Sequence, residues 1–278
     1  MSPAGFGDPS DLPVSWWGEL APTDEVDSRC WFCSFEGLDL WLQSFDAGEW
    51  RFVWRYRDDR RAESPEGIPV RAPRRCSPEA LPADGKSLRA LGVDDLHLVP
   101  RLADRPVVAR PREPFVLLPG ARQQAYLSTP VWVCLQNDSA TSVLELPARQ
   151  LSQTWFGPNA RVGEVAYAQR TSLRTRLDWV GRSSDRAITP VLLENHGSES
   201  LRIQRFSLPA PALTLYRDRR GHLWTQRITV RRAPAADSVE VDLGRRPPAE
   251  AQGAEELSSS RVVAHRSLLV RALSSLFG

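Results

Sequence analysis

Thr189-Pro-Val-Leu-Leu-Glu-Asn-His-Gly-Ser-Glu-Ser-Leu-Arg-Ile-Gln-Arg-Phe206 is the stretch on which the fold turns. An apolar run reaches Asn195-His196-Gly197, which carries turn chemistry, and a second run returns from Leu201 to Phe206. A strand, a turn and a returning strand in this order are frequent in immunoglobulin-like sandwiches. The pattern repeats on both sides. Strands are expected at Leu96–Val99, Phe115–Leu118, Gln124–Ser128, Val131–Leu135, Ser142–Leu146 and Glu164–Leu173. More are expected at Ile188–Glu194, Leu201–Phe206, Leu213–Arg217, Trp224–Arg231 and Val239–Leu243. Turn residues separate them at intervals of about ten, the spacing of a β-sandwich or barrel. The fold class expected is all-β, an immunoglobulin-like or related sandwich with its body over 86–245.

Upstream, 31–57 predicts a hairpin packed on that body. Leu38, Leu40 and Leu42 alternate with polar or larger residues, Asp46-Ala47-Gly48 supplies a turn, and Trp50, Phe52, Trp54 and Tyr56 alternate with Arg51, Val53, Arg55 and Arg57. Period two with rings on one face marks a strand. The face is either buried in a sheet or, if Trp50 and Trp54 are open, a ligand groove. Five prolines between Pro65 and Pro82 break regular structure, so 58–85 reads as a loop or linker, and 246–260 as another loop. In 261–278, Val262, Val263, Leu269, Val270, Leu273, Leu276 and Phe277 fall near a helical period. An amphipathic helix is expected there, docked on the protein's own sheet, in a partner's groove or on lipid; Leu269, Leu273 and Phe277 would form its contact face.

With 278 residues, 41% hydrophobic and 25% charged, the composition is that of a globular chain. A formal net charge of +2 demands neither nucleic acid nor an anionic membrane. Nothing resembles a secretory signal, and no run approaches the roughly 20 apolar residues of a membrane span. The expected compartment is the cytoplasm. Cys30, Cys33, Cys76 and Cys134 are scattered, which suits reduced thiols better than a disulfide framework. Cys30-Trp31-Phe32-Cys33 lacks the second pair of a structural zinc site and the helix of a thioredoxin motif, so no metal and no cofactor is expected. The four histidines are isolated, and no nucleophile elbow, phosphate-binding glycine loop or zinc-protease motif occurs.

Two regions hold candidate contact residues. Over 217–232 six arginines face one acid, Asp218, with Tyr216 and Trp224 among them. Arg219, Arg220 and Trp224 would serve a phosphate, a lipid headgroup or, less readily, single-stranded nucleic acid; a strand with one wet face is the plainer reading. Leu151-Ser-Gln-Thr-Trp-Phe-Gly157 sets two large rings, Trp155 and Phe156, ahead of a glycine, as in an edge loop folded over a core. Arg186, at the head of an apolar strand, would be a buried arginine pairing an acid such as Glu164 or Asp178.

That last segment, with Gly163-Glu-Val-Ala-Tyr167, Arg186-Ala-Ile-Thr-Pro190, Leu208-Pro209 and Leu223-Trp-Thr225, resembles a prokaryotic family known as domain of unknown function 432. Arg105-Pro-Val-Val-Ala-Arg-Pro111 and Ser128-Thr-Pro-Val-Trp132 resemble its upstream blocks, and the likeness runs over about 96–277. The resemblance implies a β-rich protein without assigned activity. It also implies a link to small-conductance mechanosensitive channels, beside which such proteins are encoded, and with it a place on the cytoplasmic side of the inner membrane. The function expected is that of a non-enzymatic accessory or regulatory subunit. The alternatives are a small-molecule or carbohydrate-binding module, a hydrolase with dispersed catalytic residues, and a nucleic-acid binder.

Overall fold

The computed structural model describes residues 17–20, 29–57, 73–111, 113–157, 159–170, 173–177, 180, 185–234, 238–263 and 270–272. Its centre is β15 (Arg186–Asn195). On one edge it runs antiparallel to β10 (Arg122–Pro130) through nine register pairs. On the other it meets β19 (Leu223–Thr225) and then β20 (Ile228–Arg232), both parallel. A strand paired on both edges and covered on both faces needs a near-continuous apolar run, and Ala187, Ile188, Val191 and Leu193 are all buried. Pro190 sits inside this run without breaking the sheet. Tyr126, opposite it, turns its own backbone N–H and C=O to Arg174, so this is a non-hydrogen-bonded pair. Pro190 therefore aims its donorless nitrogen at the other edge, in the gap where β19 has ended its pairing at Ile188 and β20 has not begun at Val191.

The central sheet is completed by β18 (Leu215–Arg217), β21 (Ser238–Leu243), β22 (Glu255–Ser258) and β23 (Val270–Ala272), in the order β22-β18-β19-β15-β20-β21-β23. Around it lie β1 (Gly18–Glu19), β7 (His97–Arg101), β11 (Trp132–Gln136) and β12 (Ser142–Pro147) as a second sheet. A third joins β8 (Val107–Arg110), β13 (Ser152–Phe156), β14 (Glu164–Arg170) and β17 (Phe206–Leu208), and β9 (Phe115–Leu117) pairs with β16 (Leu201–Ile203). The N-terminal sheet is β5-β2-β3-β4-β6, from β2 (Cys30–Ser34), β3 (Leu38–Ser44), β4 (Trp50–Tyr56), β5 (Arg74–Arg75) and β6 (Lys86–Ala90). All five sheets contribute to one hydrophobic core. The all-β expectation holds. The parallel pairs β15–β19, β15–β20 and β8–β14 are not part of an antiparallel immunoglobulin sandwich.

Three expectations are corrected. First, no helix is present at the C-terminus among the described residues. Residues 261–263 follow an irregular path anchored on Pro211 O, and Val270–Ala272 pairs antiparallel with Ser238–Glu240. The open edge of β21 offers backbone hydrogen bonds that outweigh a periodicity shared by several apolar side chains. Leu269, Leu273 and Phe277 lie outside the described residues. Second, the proline-rich 58–85 segment and the 246–260 segment contribute strands β5 and β22. Third, the thiols are not all reduced. Pairing of Trp31 with Arg75 brings Cys76 opposite Cys30, with Cα atoms 5.2 Å apart, and the two form a disulfide. Cys33, three residues on, points to the other face of the strand. It is buried, which pushes its thiol up to about 12, so no reactive dithiol pair exists.

The N-terminal sheet is locked to the body at the β2–β3 turn. Gly37 N–H donates to Ala148 O at 3.0 Å, and Glu36 N–H donates to Asp185 Oδ2 at 2.5 Å. Arg186 donates to Glu36 Oε2 at 2.8 Å and also to Ser128 Oγ and Ser128 O; Arg149 reaches Glu36 Oε1 at 3.0 Å. Arg57 holds the turn from behind through Ser34, Asp39 and the carbonyls of Phe35 and Glu36.

Two outcomes follow. Arg186→Met leaves the Glu36 carboxylate with Arg149 alone and should lower unfolding stability in urea by about 2–4 kcal/mol, with Glu36→Gln costing less. Cys76→Ser, opening a bridge between residues 46 apart in sequence, should cost about 2–4 kcal/mol in oxidised protein, and a reductant should have the same effect on the wild type while leaving the variant unchanged.

Candidate functional site

The segment Arg217-Asp-Arg-Arg-Gly-His-Leu223 folds as a tight hairpin between β18 and β19. Asp218 N–H donates to His222 O and Gly221 N–H to Asp218 O, enclosing the three residues Arg219, Arg220 and Gly221. Gly221 has φ +81°, the left-handed position that closes a three-residue loop of this kind. Asp218 then organises everything around it. Its Oδ1 accepts the backbone N–H groups of Arg220 and His222, both at 2.9 Å. Its Oδ2 takes Trp224 Nε1–H at 2.9 Å and His222 Nδ1 at 3.1 Å. Burial alone would push this carboxyl up; the hydrogen bonds from His222 and Trp224 outweigh it and hold the group down at about 2. An ionised carboxylate only accepts, so His222 carries its proton on Nδ1 and keeps Nε2 for another partner.

A second turn closes the site. β22 pairs with β18 and brings the preceding loop alongside, where Ala251 N–H donates to Pro248 O and Arg219 N–H to Gln252 O. Gly253, at φ +63°, lies so close beneath the Arg219 side chain that a Cβ there would collide with it. Between the turns lies a cleft of about 270 Å³ lined by Leu177, Asp218, Arg219, Arg220, His222, Trp224, Glu250 and Gln252. Glu250 Oε1 accepts from Tyr126 Oη at 3.1 Å and lies 3.6 Å from Arg227. Its Oε2 is buried with no hydrogen-bond partner among the described residues. Burial first, and then the Glu250 charge, push the Tyr126 hydroxyl above its ordinary range, so it stays a donor.

Arg219, Arg220 and Trp224 thus come together, as a cleft and not as an extended groove. Trp224 is 2% exposed and acts through its indole N–H, not as an open stacking ring. Asp218 and His222 were legible only as a lone acid and a turn histidine. The signal that joins them is the Asp-Arg-Arg-Gly-His spacing, an acid at the start of a glycine-closed hairpin loop.

The remaining candidates lie elsewhere. Trp155 and Phe156 are in strand β13, not in a loop. Gly157 and Gly163 let the β13–β14 hairpin close tightly: a Cβ on Gly163 would stand 2.6 Å from Phe156 O. Phe156 is buried against Val108 and Ala166, with the Arg205 guanidinium 5.5 Å from its ring centre. Trp155 is 45% exposed and faces Val165 across the strands. Arg186 is partly buried, its side chain 14% exposed, and its acid is Glu36, 150 residues away; Asp178 lies outside the described residues. Trp50 is 4% exposed, donates to Val93 O at 2.9 Å and, with Trp31 and the Asp46–Gly48 turn, lines a cleft of about 460 Å³, while Trp54 packs against the core.

The fold and site define an all-β protein with a small polar cleft at a hairpin end and an exposed aromatic hairpin face. Residues 16–277 match the family described as Protein of unknown function (DUF432), and the chain belongs to that family. The match begins well before the blocks near residue 96 that signal it in the sequence. No curated protein and no solved structure matches the chain.

Asp218 is depressed on folding, so its contribution to stability is full above the ordinary aspartate range and is lost as pH falls through about 2. Asp218→Asn should lower stability at pH 7 by about 1–3 kcal/mol. The gap between variant and wild-type urea midpoints should narrow between pH 4 and pH 2.

Proposed function

We propose that this chain is a β-rich interaction protein, an accessory or regulatory subunit that docks on a small-conductance mechanosensitive channel. The observation that carries the reading is the β13–β14 hairpin. β13 is an edge strand, with no strand beyond it among the described residues. Its residues Ser152-Gln-Thr-Trp-Phe156 include no charge. Natural edge strands are usually guarded by lysine, proline or a covering loop, and an unguarded one pairs readily with another chain. Beside it stand three exposed apolar side chains, Trp155, Val162 and Val165. Tryptophan is prominent among residues that anchor interfaces. Asn159 stiffens the hairpin tip: its Oδ1 accepts the N–H groups of Arg161 and Val162, and its carbonyl accepts Trp155 Nε1–H, all at 2.9 Å. An ordered apolar knob beside an open ladder suits a partner that adds a strand.

The family resemblance supports a channel as that partner, and no helix among the described residues is long and apolar enough to cross a membrane. A cytoplasmic placement, which the channel link implies, would require the Cys30–Cys76 bridge to form in a reducing compartment, where such bridges are rare. The reading therefore rests on the docking surface and not on the compartment.

The test is titration of the purified small-conductance channel from the same genome, in detergent, with wild-type protein and with Trp155→Ser/Val165→Thr. The wild type should co-elute with the channel, and the variant should bind at least about tenfold more weakly while keeping its β-sheet circular dichroism, its melting temperature falling only by what the lost Trp155 bond to Asn159 O contributes. No complex with the wild type, or equal binding by the two, overturns the reading.

A further inference from the structure

The geometry points to the Asp218 cleft as a binding site for a small phosphate monoester. This goes beyond the docking reading and involves a different sheet.

The cationic side comes from Arg219 and Arg220, successive residues at the tip of a closed hairpin. Neither has a carboxylate within ion-pair distance among the described residues, whereas Arg217 and Arg227 on the flanking strands pair with Glu255 and Glu250. Asp218, though ionised, turns both oxygens to the loop's own donors and forms no ion pair with either arginine. Its four acceptor positions are filled by two backbone N–H groups, the indole of Trp224 and the imidazole of His222. The carboxylate is thus spent on fixing the loop and the His222 ring, whose Nε2 is left as an acceptor. Two planar guanidiniums, each able to bond two oxygens at once, suit the three oxygens of a phosphate monoester, while His222 Nε2, an acceptor with the proton on Nδ1, suits a hydroxyl of the ester.

The organic half has its own recognition. Leu177 and the buried Trp224 make an apolar wall. Glu250 Oε2 is a buried acceptor lacking a donor, and such a group costs stability unless something supplies a hydrogen. Oε2 itself is closed off, so what Glu250 gives the cleft is its charge, which repels a second phosphate and favours a hydroxyl on the ester. The cleft, at about 270 Å³, lies just below the usual range for ligand pockets of roughly 300–1,000 Å³. It admits a phosphorylated polyol of a few carbons and excludes a dinucleotide. The same chemistry is presented by a free ester and by the headgroup of a phosphatidic acid.

The experiment uses the full chain with glycerol 3-phosphate, inorganic phosphate and glycerol as calorimetric titrants, and phosphatidic acid in phosphatidylcholine vesicles in a sedimentation assay. Glycerol 3-phosphate should bind saturably and more tightly than inorganic phosphate, with no binding of glycerol. Arg219→Gln/Arg220→Gln should weaken binding at least about tenfold. Both side chains are exposed at a loop tip, so its melting temperature should match the wild type. Glu250→Gln should narrow the preference for the ester over inorganic phosphate, a readout that a purely structural role would not move. Binding should also weaken below about pH 6, where the monoester takes up a proton. Capture by phosphatidic acid vesicles, lost in the arginine variant, without binding of the soluble ester keeps the phosphate site and assigns its source to lipid. Absence of binding to both ester and vesicles, equal affinity for ester and inorganic phosphate, or equal binding by the arginine variant overturns the proposal. None of these results depends on whether the β13–β14 face binds a channel.

Discussion

Strand β15 is the constraint on which the other sheets depend. It is paired along both edges and covered on both faces, and each end is finished by a polar residue that ties another element down. At the start, Arg186 and the buried Asp185 hold the β2–β3 turn through Glu36. At the end, buried Asn195 donates to Leu117 O and Glu199 O and accepts Gly197 N–H, fixing the β9–β16 pair. Leaving either polar end unpaired in the interior would cost more than the hydrogen bonds themselves contribute. The apolar middle supplies burial, and the polar ends decide which partners can occupy it.

Most of the body was legible because strand signals are local. The run from Ile188 to Glu194, the alternation from Trp50 to Tyr56 and the turn at Asn195-His196-Gly197 each need only near neighbours. What stayed hidden was long-range. Cys30 and Cys76 have no local relation; only the pairing of Trp31 with Arg75 sets them opposite each other. Arg186 announced itself as a buried cation, but its acid is chosen by topology and lies in another sheet. Val270–Ala272 carried a helical pattern, and the unpaired edge of β21 decided otherwise. Of the cleft, the arginines and Trp224 stood out by composition. Glu250 and Gln252 did not, because a short strand, β22, has to carry them there from a stretch that reads as loop.

Asp218 joins a structural duty to the recognition proposed for the cleft. A hairpin loop of three residues needs its first backbone groups satisfied, and the carboxylate does this while also fixing the imidazole and the indole. The site therefore does not depend on a mobile loop being ordered by a ligand. Its polar groups are arranged in advance, which lowers the entropy cost of binding. The corresponding cost appears at Glu250, whose Oε2 is buried without a donor among the described residues.

The cleft and the apolar hairpin belong to different sheets, yet one backbone group connects their supports. Ser128 O accepts from Gln169 on β14 and from Arg186 on β15, while Ser128 itself lies on β10, two residues from the Tyr126 that holds Glu250. A route of hydrogen bonds joined by stretches of strand backbone therefore runs from β14 to the cleft wall. Such a route transmits an effect between sites only if some element along it has two arrangements of similar energy. Here it passes through the most extensively paired strands in the molecule, and buried Thr189 and Thr225, which hydrogen-bond each other across β15 and β19, stiffen it further. Such a rigid route would leave the two proposed surfaces independent of each other, with the central sheet holding them at a fixed separation.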